Sequence, residues 1–269
     1  MIRKKLAFIG FLFLFLFSHS VYANLMISPK RVIFEDRERS AYVNLINSSN
    51  VTKTYRLGLV DIVQTEKGGI ITKPTAADLK QLHSAKDMLR YSPRQVRLAP
   101  GEVQKIRIAA RRPANLPAGE YRTHLMFTEL PDPQAVQMQD SAQIKLHMLM
   151  SFTIPVFVRS GAYNSEVSLS QLKIVNEGGK QKVVFDIQRL GDYGVNGKAT
   201  LYWQPNLETQ PTKIAELNNI AVYRETKIRR SVGFSLENTK PLKKGIYKVV
   251  YTGDAALNHR NLGSAEFVY

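Results

Sequence analysis

Short runs of alternating apolar and polar residues recur along the chain at intervals of roughly ten residues. The runs are rich in Val, Ile, Tyr, Phe and Thr and are separated by clusters of Gly, Pro, Asn and Ser, which is typical of strands joined by turns. Residues 41–46 lead into Asn47-Ser-Ser-Asn50 in this way, and residues 94–98 lead into Pro100-Gly101. Helical periodicity is scarce. The one candidate is a weak amphipathic pattern between residues 75 and 88, which indicates a single surface turn or two. The pattern therefore predicts an all-β protein.

The strand series pauses at Arg159-Ser-Gly-Ala162, and a second series begins after it. The two stretches, of about 130 and about 110 residues, are each long enough to close a β-sandwich core. We therefore expect two β-sandwich domains, at residues 24–159 and 160–269, preceded by a separate segment at residues 1–23. Strand signals in the second half of the chain lie at residues 167–175, 182–188, 198–203, 227–234 and 247–251.

The first 23 residues have the layout of a cleaved export signal. Three basic residues at positions 3–5 precede an unbroken apolar run at residues 6–17, and the small or neutral Val21 and Ala23 stand where a signal peptidase reads the chain. The apolar run has 12 residues, whereas a helix needs about 20 to cross a bilayer, so a retained anchor is the less favoured alternative. Since no later stretch is long and apolar enough for a membrane helix, we expect export without membrane insertion.

Residues 143–159 form the longest alternating run in the chain. The even positions from Ile144 to Val158 are apolar throughout, while most odd positions are polar. At about 3.4 Å per residue such a strand would extend about 50 Å, which is longer than one sandwich can cover. One interpretation is a core strand broken by a bulge. The other is a strand that lends its apolar side chains to an unfilled groove of another protein, since an exposed apolar edge strand is otherwise an aggregation hazard.

Composition narrows the functional classes. The chain has 38 Lys and Arg against 22 Asp and Glu, a net charge of +16, which suits acidic partners or anionic surfaces. It has no cysteine, and its few histidines are scattered without metal-ligand spacing. Motifs for a catalytic serine, a phosphate loop or a dinucleotide are also missing. We therefore expect neither enzymatic activity nor a metal or cofactor, and export together with the lack of basic residues interleaved with aromatics argues against nucleic-acid binding.

Five segments in order along the first domain carry a recognisable set of motifs. They are Ile27-Ser-Pro-Lys-Arg-Val-Ile-Phe34, Ser40-Ala-Tyr-Val-Asn-Leu-Ile-Asn47, Ser92-Pro-Arg-Gln-Val-Arg-Leu-Ala-Pro-Gly101, Tyr121-Arg-Thr-His-Leu-Met-Phe-Thr-Glu-Leu-Pro131 and Ile154-Pro-Val-Phe-Val-Arg159. Together they resemble the periplasmic pilus chaperones of the chaperone/usher pathway. The match is weaker over residues 160–269, where mainly the strand pattern and the turn Thr252-Gly-Asp254 agree. The resemblance implies two immunoglobulin-like β-sandwich domains set in an L, with an acceptor cleft between them and no enzymatic activity.

The resemblance assigns the long strand the role of donor. Pilus subunits of this kind lack their last strand, and the chaperone inserts its own strand to fill the missing apolar layer. Methionines in such a strand would let it fit several subunits, because the thioether chain repacks easily. The side chains that match the family's donor positions are Ile144, Leu146, Met148 and Met150, with Phe152 extending the set.

In the resembling family, two cationic side chains also bind the terminal carboxylate of the subunit. Arg31 matches the first, but Pro155 stands where the family has a Lys, and proline carries neither charge nor a donor. In this respect the chain is similar to a divergent branch of the family, whose long strand also ends in Pro-Val-Phe-Val. We expect the replacement cation to be Arg90 or Arg94, whose planar guanidinium can pair with a carboxylate through two hydrogen bonds. The alternative for each arginine is a solvated surface charge.

A second set of charges matches an interdomain ion network of the family. Glu120, Arg159 and Asp254 would contribute one charge each from the first domain, the hinge and the second domain. Because exposed ion pairs contribute only about 0 to 1 kcal/mol, we expect this network to orient the domains more than to stabilise them. Asp254 also fits the alternative of a plain turn residue after Gly253.

Together these features predict a periplasmic chaperone with two kinds of partner. It would bind and stabilise pilus or fimbrial subunits by donor-strand complementation and deliver them to an outer-membrane usher. The alternative from a different class is an exported β-sandwich adhesin or structural pilus-type subunit that pairs the same strand with a neighbour. The sequence leaves open whether the protein without a client caps itself as a dimer.

Overall fold

The structure, a computed structural model, describes residues 25–35, 37–131, 149–235 and 242–269. Its strands form two successive β-sandwiches, with immunoglobulin-like architecture, joined near Gly161. This agrees with the all-β fold predicted from the sequence. At Gly161 the backbone adopts φ +80° and a Cβ would lie 3.0 Å from that of Ala118, so glycine suits the turn between the sandwiches.

The first sandwich packs a four-stranded sheet, in the order β1-β3-β9-β7, against a five-stranded sheet, in the order β2-β11-β10-β4-β8. Alternation places Val43 and Ile106 from one sheet, and Phe127 and Val156 from the other, in a shared core. The strands in the described residues of this part are β1 (Met26–Ser28), β2 (Val32–Phe34), β3 (Ser40–Ile46), β4 (Lys53–Val60), β5 (Val63–Gln64), β6 (Ile70–Ile71), β7 (Leu89–Ser92), β8 (Gln95–Leu98), β9 (Val103–Ala110), β10 (Gly119–Leu130) and β11 (Ser151–Ser160).

The second sandwich packs a three-stranded sheet, in the order β12-β13-β16, against a four-stranded sheet, in the order β15-β14-β17-β18. Its core includes Phe185 and Phe234, whose rings stack at 5.7 Å, together with Leu201 and Val249. Its strands, outside the undescribed residues 236–241, are β12 (Glu166–Glu177), β13 (Lys180–Leu190), β14 (Val195–Gln204), β15 (Thr212–Val222), β16 (Ile228–Ser235), β17 (Ile246–Gly253) and β18 (Asn261–Val268).

Helical structure is confined to short turns in the described parts of the chain. Residues 75–88 form helix α1 (Ala76–Leu79) and the 3₁₀ turn η1 (Lys86–Met88), as the weak amphipathic pattern indicates. Thr75 and Asp78 close the start of α1 with reciprocal side-chain hydrogen bonds, a capping box. A second 3₁₀ turn, η2, spans Ala255–Leu257. None of the described helices is long and apolar enough to cross a membrane.

The two-stranded hairpin β5–β6 leaves the first sandwich after β4 and lies against the second sandwich. Gln64, which is 7% exposed, accepts from the backbone N–H of Tyr223 at 3.2 Å and donates to the carbonyl of Ala221 at 3.1 Å. Glu66 at the hairpin turn pairs with Arg230 at 2.7 Å. The hairpin therefore connects the two sandwiches at a site separate from the chain crossing.

Candidate functional site

The strand β11 carries residues 151–159 of the apolar stripe into the first sandwich. Ile154, Val156 and Val158 are buried in its core, and Phe152 packs against the same core at its margin. Met150, the next residue of the stripe, is 37% exposed. The apolar face is thus covered at its carboxyl end by the protein's own core and emerges into solvent towards its amino end.

The two edges of β11 differ in how far they are paired. One edge pairs with β10 along the whole strand, from Ser151 opposite Thr128 to Ser160 opposite Gly119. The other edge pairs with β2 at residues 156–158. In the described ranges no strand lies beside this second edge from Ser151 to Pro155, so its amino-terminal half is open to an additional strand.

Two of the five predicted donor residues lie in the described part of the chain. Met150 and Phe152 precede the buried end of the stripe, and the carbonyl of Met150 accepts from the backbone N–H of Glu129 at 3.0 Å. The strand-like pairing with β10 therefore extends back to Met150. Ile144, Leu146 and Met148 lie outside the described residues.

The predicted anchor Arg31 lies directly before β2, in the cleft between the sandwiches. Its Nη1 donates to Oδ2 of Asp254 at 3.1 Å, and its guanidinium lies 5.3 Å from the centre of the Phe157 ring. The side chain retains 24% exposure. A cation held over an aromatic face, with a carboxylate already on one edge, is suited to accept a carboxylate. Tyr223 and Leu257 line the same cleft.

The structure does not bring the two candidate replacement cations to Arg31. Arg90 lies on β7 and donates to the backbone carbonyls of Asp87 and Leu89, at 3.1 and 2.8 Å. Arg94 is exposed before β8, at the opposite edge of the five-stranded sheet from β2. At about 4.8 Å per strand, four spacings separate these edges by about 19 Å.

A different arginine lies on the cleft face of β10. Arg122 stands opposite Phe157 in the pairing of β10 with β11, and its guanidinium lies 4.0 Å over the ring of Tyr223. It donates to the carbonyl of Ile62 at 2.8 Å and forms an ion pair with Glu225, both partners being almost fully buried. The sequence prediction missed Arg122 and Glu225, although Arg122 lies within one of the five matching segments.

Burial and the Arg122 charge also act on His124, which follows two residues later on β10. The ring of His124 lies 3.3 Å from Nη1 of Arg122. Desolvation, together with this neighbouring charge, lowers the pKa of His124 to about 3. The imidazole is therefore neutral at physiological pH.

The three predicted network residues divide into two groups. Arg159 donates to Oε2 of Glu120 at 3.0 Å and to Glu35 at 3.0 Å, and Glu120 accepts from the backbone N–H of Gly194 in the second sandwich at 3.0 Å. Burial alone would lower the pKa of Arg159, but Glu120 and Glu35 outweigh it and raise the pKa. Asp254 instead pairs with Arg31 and accepts from Asn196 at 2.8 Å.

A comparison with known protein families identifies the family of this chain. Residues 24–164, more than half of the chain, match the family described as pili and flagellar-assembly chaperone, PapD N-terminal domain. The chain belongs to this family of pilus-assembly chaperones. The match includes β11, Arg31, Glu120 and Arg159. No protein in a search of curated sequences matches the chain.

Several solved structures are similar to this chaperone at low identity. The chaperone–tip adhesion subunit pre-assembly complex CsuC–CsuE of Acinetobacter baumannii is 14% identical, with 91% of this chain and 98% of that chain covered at a TM-score of 0.47. The CupB2 chaperone of Pseudomonas aeruginosa is 13% identical, with 90% and 98% covered at 0.47. The SafA pilin–SafB chaperone complex of Salmonella enterica is 12% identical, with 94% and 99% covered at 0.46.

Within the described ranges, no cluster of three or more His, Asp or Glu residues has the arrangement of a metal site. The polar groups of the cleft are instead ion pairs and buried hydrogen bonds that join the two sandwiches. What this chaperone offers a partner in these ranges is an open strand edge beside apolar side chains, and a cation in the adjacent cleft.

Proposed function

We propose that this chaperone binds pilus subunits in the periplasm by donor-strand complementation and delivers them to an outer-membrane usher. The observation that carries the proposal is the open edge of β11 from Ser151 to Pro155, next to Met150 and Phe152. A subunit strand added there would form main-chain hydrogen bonds, while the apolar side chains fill the groove of the subunit. Two of the similar structures are complexes of a chaperone with a pilus protein.

Hydrophobic burial supplies the driving force in this proposal. Fully burying a large apolar side chain contributes about 1.5 to 3 kcal/mol, so Met150 and Phe152 together would contribute at most about 3 to 6 kcal/mol. Both contribute less than this, because Phe152 is already partly covered by the core and Met150 is only 37% exposed. The remaining donors in the proposal are Ile144, Leu146 and Met148, which would extend the same face and offset the cost of association.

Arg31 supplies the anchor in this proposal. A one-residue slip would turn every donor side chain to the wrong face, so the bound strand needs a fixed point. Arg31 lies directly before β2, which pairs with β11 at Val156, and so stands close to the closed end of the open edge. A terminal carboxylate held by Arg31 would therefore set the register of the added strand.

The test compares two adjacent positions on the donor strand. Met150→Asp places a charge on the donor face, whereas Ser151→Asp places the same charge one residue later, where the side chain points to the opposite face. Each variant is mixed with a pilus subunit that lacks its final strand, and the complex is measured by size-exclusion chromatography. We expect Met150→Asp to lose most of the one-to-one complex and Ser151→Asp to retain it.

Equal complex yield from both variants would overturn the donor role of this face. Circular dichroism of each variant without a client shows whether the fold is retained. If the protein instead polymerises by itself or binds glycan without any subunit, it is an adhesin or a structural subunit and the proposal is wrong.

A further inference from the structure

A second cavity lies between the sandwiches, away from Arg31 and β11. Its volume is about 360 Å³. The segment before η1 in the first sandwich contributes one wall, while the ends of β13 and the connection from β15 to β16 contribute the other. The ionisable side chains that line it are His83, Arg189, Asp192, Arg224, Glu225 and Lys227.

The cavity wall carries an excess of positive charge. Arg189, Arg224 and Lys227 face two acids, but Glu225 is already neutralised by its buried ion pair with Arg122. The other acid, Asp192, lies 3.6 Å from Arg224. One acid therefore remains for three cations, and an added negative charge would be stabilised there.

Arg189 is the most buried of these cations, with 2% exposure. Its two Nη atoms donate to the backbone carbonyls of Gly191, Tyr193 and Arg224, so its contacts there are with neutral groups. Desolvation lowers the pKa of Arg189. The charges of Glu120 and Glu225 oppose this effect, but Arg189 forms no ion pair within the described ranges. A buried guanidinium without an ion-pair partner is costly unless an anion lies nearby.

Three nitrogen atoms of the cavity residues also lack a partner. Nε of Arg189, Nε of Arg224 and Nδ1 of His83 are buried, and no residue in the described ranges forms a hydrogen bond with them. Most buried polar groups in proteins have partners, and an exception points to a bound water or ion. Oxyanions carry several acceptors on one centre, which suits a cavity lined by several cationic side chains.

We infer that this cavity is a binding site for a small inorganic oxyanion of the size of sulfate or phosphate. Arg224, Arg189 and Lys227 provide the positive charge, and His83 provides a contact from the first sandwich. Because His83 and Arg224 belong to different sandwiches, the bound oxyanion bridges them. The site is separate from the anchor proposed for a subunit carboxylate at Arg31, so the two inferences stand or fall independently.

The experiment is isothermal titration calorimetry, in which sodium sulfate is added to the purified protein. The ionic strength is kept constant with sodium chloride. We expect saturable binding of one sulfate per chain. Since hydrogen bonds between charged groups contribute about 1.5 to 3 kcal/mol, Arg224→Gln should weaken binding roughly tenfold or more. Lys227→Gln, at an exposed position where the fold is at no risk, should weaken it severalfold. The control Arg107→Gln removes the same charge from the exposed face of β9 and should leave affinity unchanged.

A pH series tests the contact with His83. The groups around this imidazole are the ring of Tyr121 at 5.3 Å, Arg224 and Asp192. Desolvation and the Arg224 charge lower the pKa of His83, so the ring is neutral in the unoccupied site at neutral pH. A bound anion favours the imidazolium and raises this pKa, so sulfate, whose charge is constant between about pH 5 and pH 8, should bind more tightly as the pH falls.

His83→Gln should remove most of this pH dependence while part of the sulfate binding remains. NMR signals of the His83 ring should move to a higher pKa in sulfate. Unsaturable heats, or equal weakening by Arg224→Gln and Arg107→Gln, would show general charge screening and overturn the inference. Saturable binding that leaves the His83 signals unmoved would place the anion elsewhere and overturn it as well.

Discussion

Removing the carboxylate of Glu225 should destabilise the protein far more than removing any exposed charge between the sandwiches. The side chains of Arg122 and Glu225 are 4% and 3% exposed. Taking away one partner of a buried ion pair leaves an uncompensated charge, which typically costs 3 to 5 kcal/mol. We therefore expect Glu225→Ala to lower the free energy of unfolding by about 3 to 5 kcal/mol.

The chain provides a matched control in the Glu66–Arg230 pair. This pair also joins the two sandwiches, at 2.7 Å, but its side chains are 53% and 52% exposed. Exposed pairs contribute about 0 to 1 kcal/mol, so Glu66→Ala should have little effect. Both substitutions remove one carboxylate from the same interface, so the two variants have the same formal charge. They differ in how deeply the lost carboxylate is buried.

The assay is urea unfolding followed by circular dichroism and by the fluorescence of Trp203. For a slope of about 2 kcal/mol per molar urea, Glu225→Ala should lower the midpoint by about 1.5 to 2.5 M and Glu66→Ala by less than about 0.5 M. The double substitution Arg122→Met with Glu225→Leu should recover much of the loss, because it removes the stranded charge. Similar midpoints for the two single variants would refute the claim that burial sets the strength of this pair.

Three further predictions concern single side chains. The pKa of His124 is about 3 in the folded protein and about 6.5 in an unfolded chain, so the unfolded state gains a proton first as the pH falls. Between about pH 6 and pH 4, the free energy of unfolding should therefore fall by about 1.4 kcal/mol per pH unit more in the unchanged protein than in His124→Gln. Urea unfolding at each pH measures this difference. The buried Tyr55 hydroxyl has no hydrogen-bond partner among the described residues, so Tyr55→Phe should be neutral or raise stability by up to about 1 kcal/mol, and a clear loss would contradict this. Arg31→Ala should weaken subunit capture and make it insensitive to amidation of the subunit's terminal carboxylate, measured by chromatography of the complex; if amidation still reduces capture, the anchor lies elsewhere.

The sequence predicted the strands whose alternation matches a half-buried sheet. β3 and β9 are of this kind, since buried apolar side chains alternate with more exposed residues in the part of each strand that covers the core. β15 was not predicted, because it carries bulges in its pairing with β14 at Gly197 and Leu201, which break the period of two. β18 was not predicted either, since its residues are exposed or half-buried at nearly every position.

The cleft could be predicted less completely, for a different physical reason. In the segment Tyr121-Arg-Thr-His, Arg122 and His124 stand at alternate positions that would face water in an isolated sandwich. They are 3% and 6% exposed. Tyr223 and Glu225 of the second sandwich cover Arg122, and His124 lies beside its guanidinium. Their partners lie far away in sequence, as with Glu225, and periodicity has no information about contacts at that distance. Glu120 and Arg159 could be found because the family match extends to them.

The contact between Arg31 and Asp254 limits what the proposed anchor can contribute. In the protein without a client this cation already holds a carboxylate, and both side chains are partly exposed, at 24% and 29%. An incoming terminal carboxylate at Arg31 would therefore replace one anion with another, and the net gain is the difference between two partly solvated pairs, about 1 kcal/mol or less. Burial of the donor side chains must then provide most of the affinity. The apolar stripe alone would permit the added strand to slip by two residues, since such a slip keeps the same side chains on the donor face. A terminal carboxylate can reach Arg31 in few of these alignments. The cation would therefore act mainly by fixing the register of the added strand.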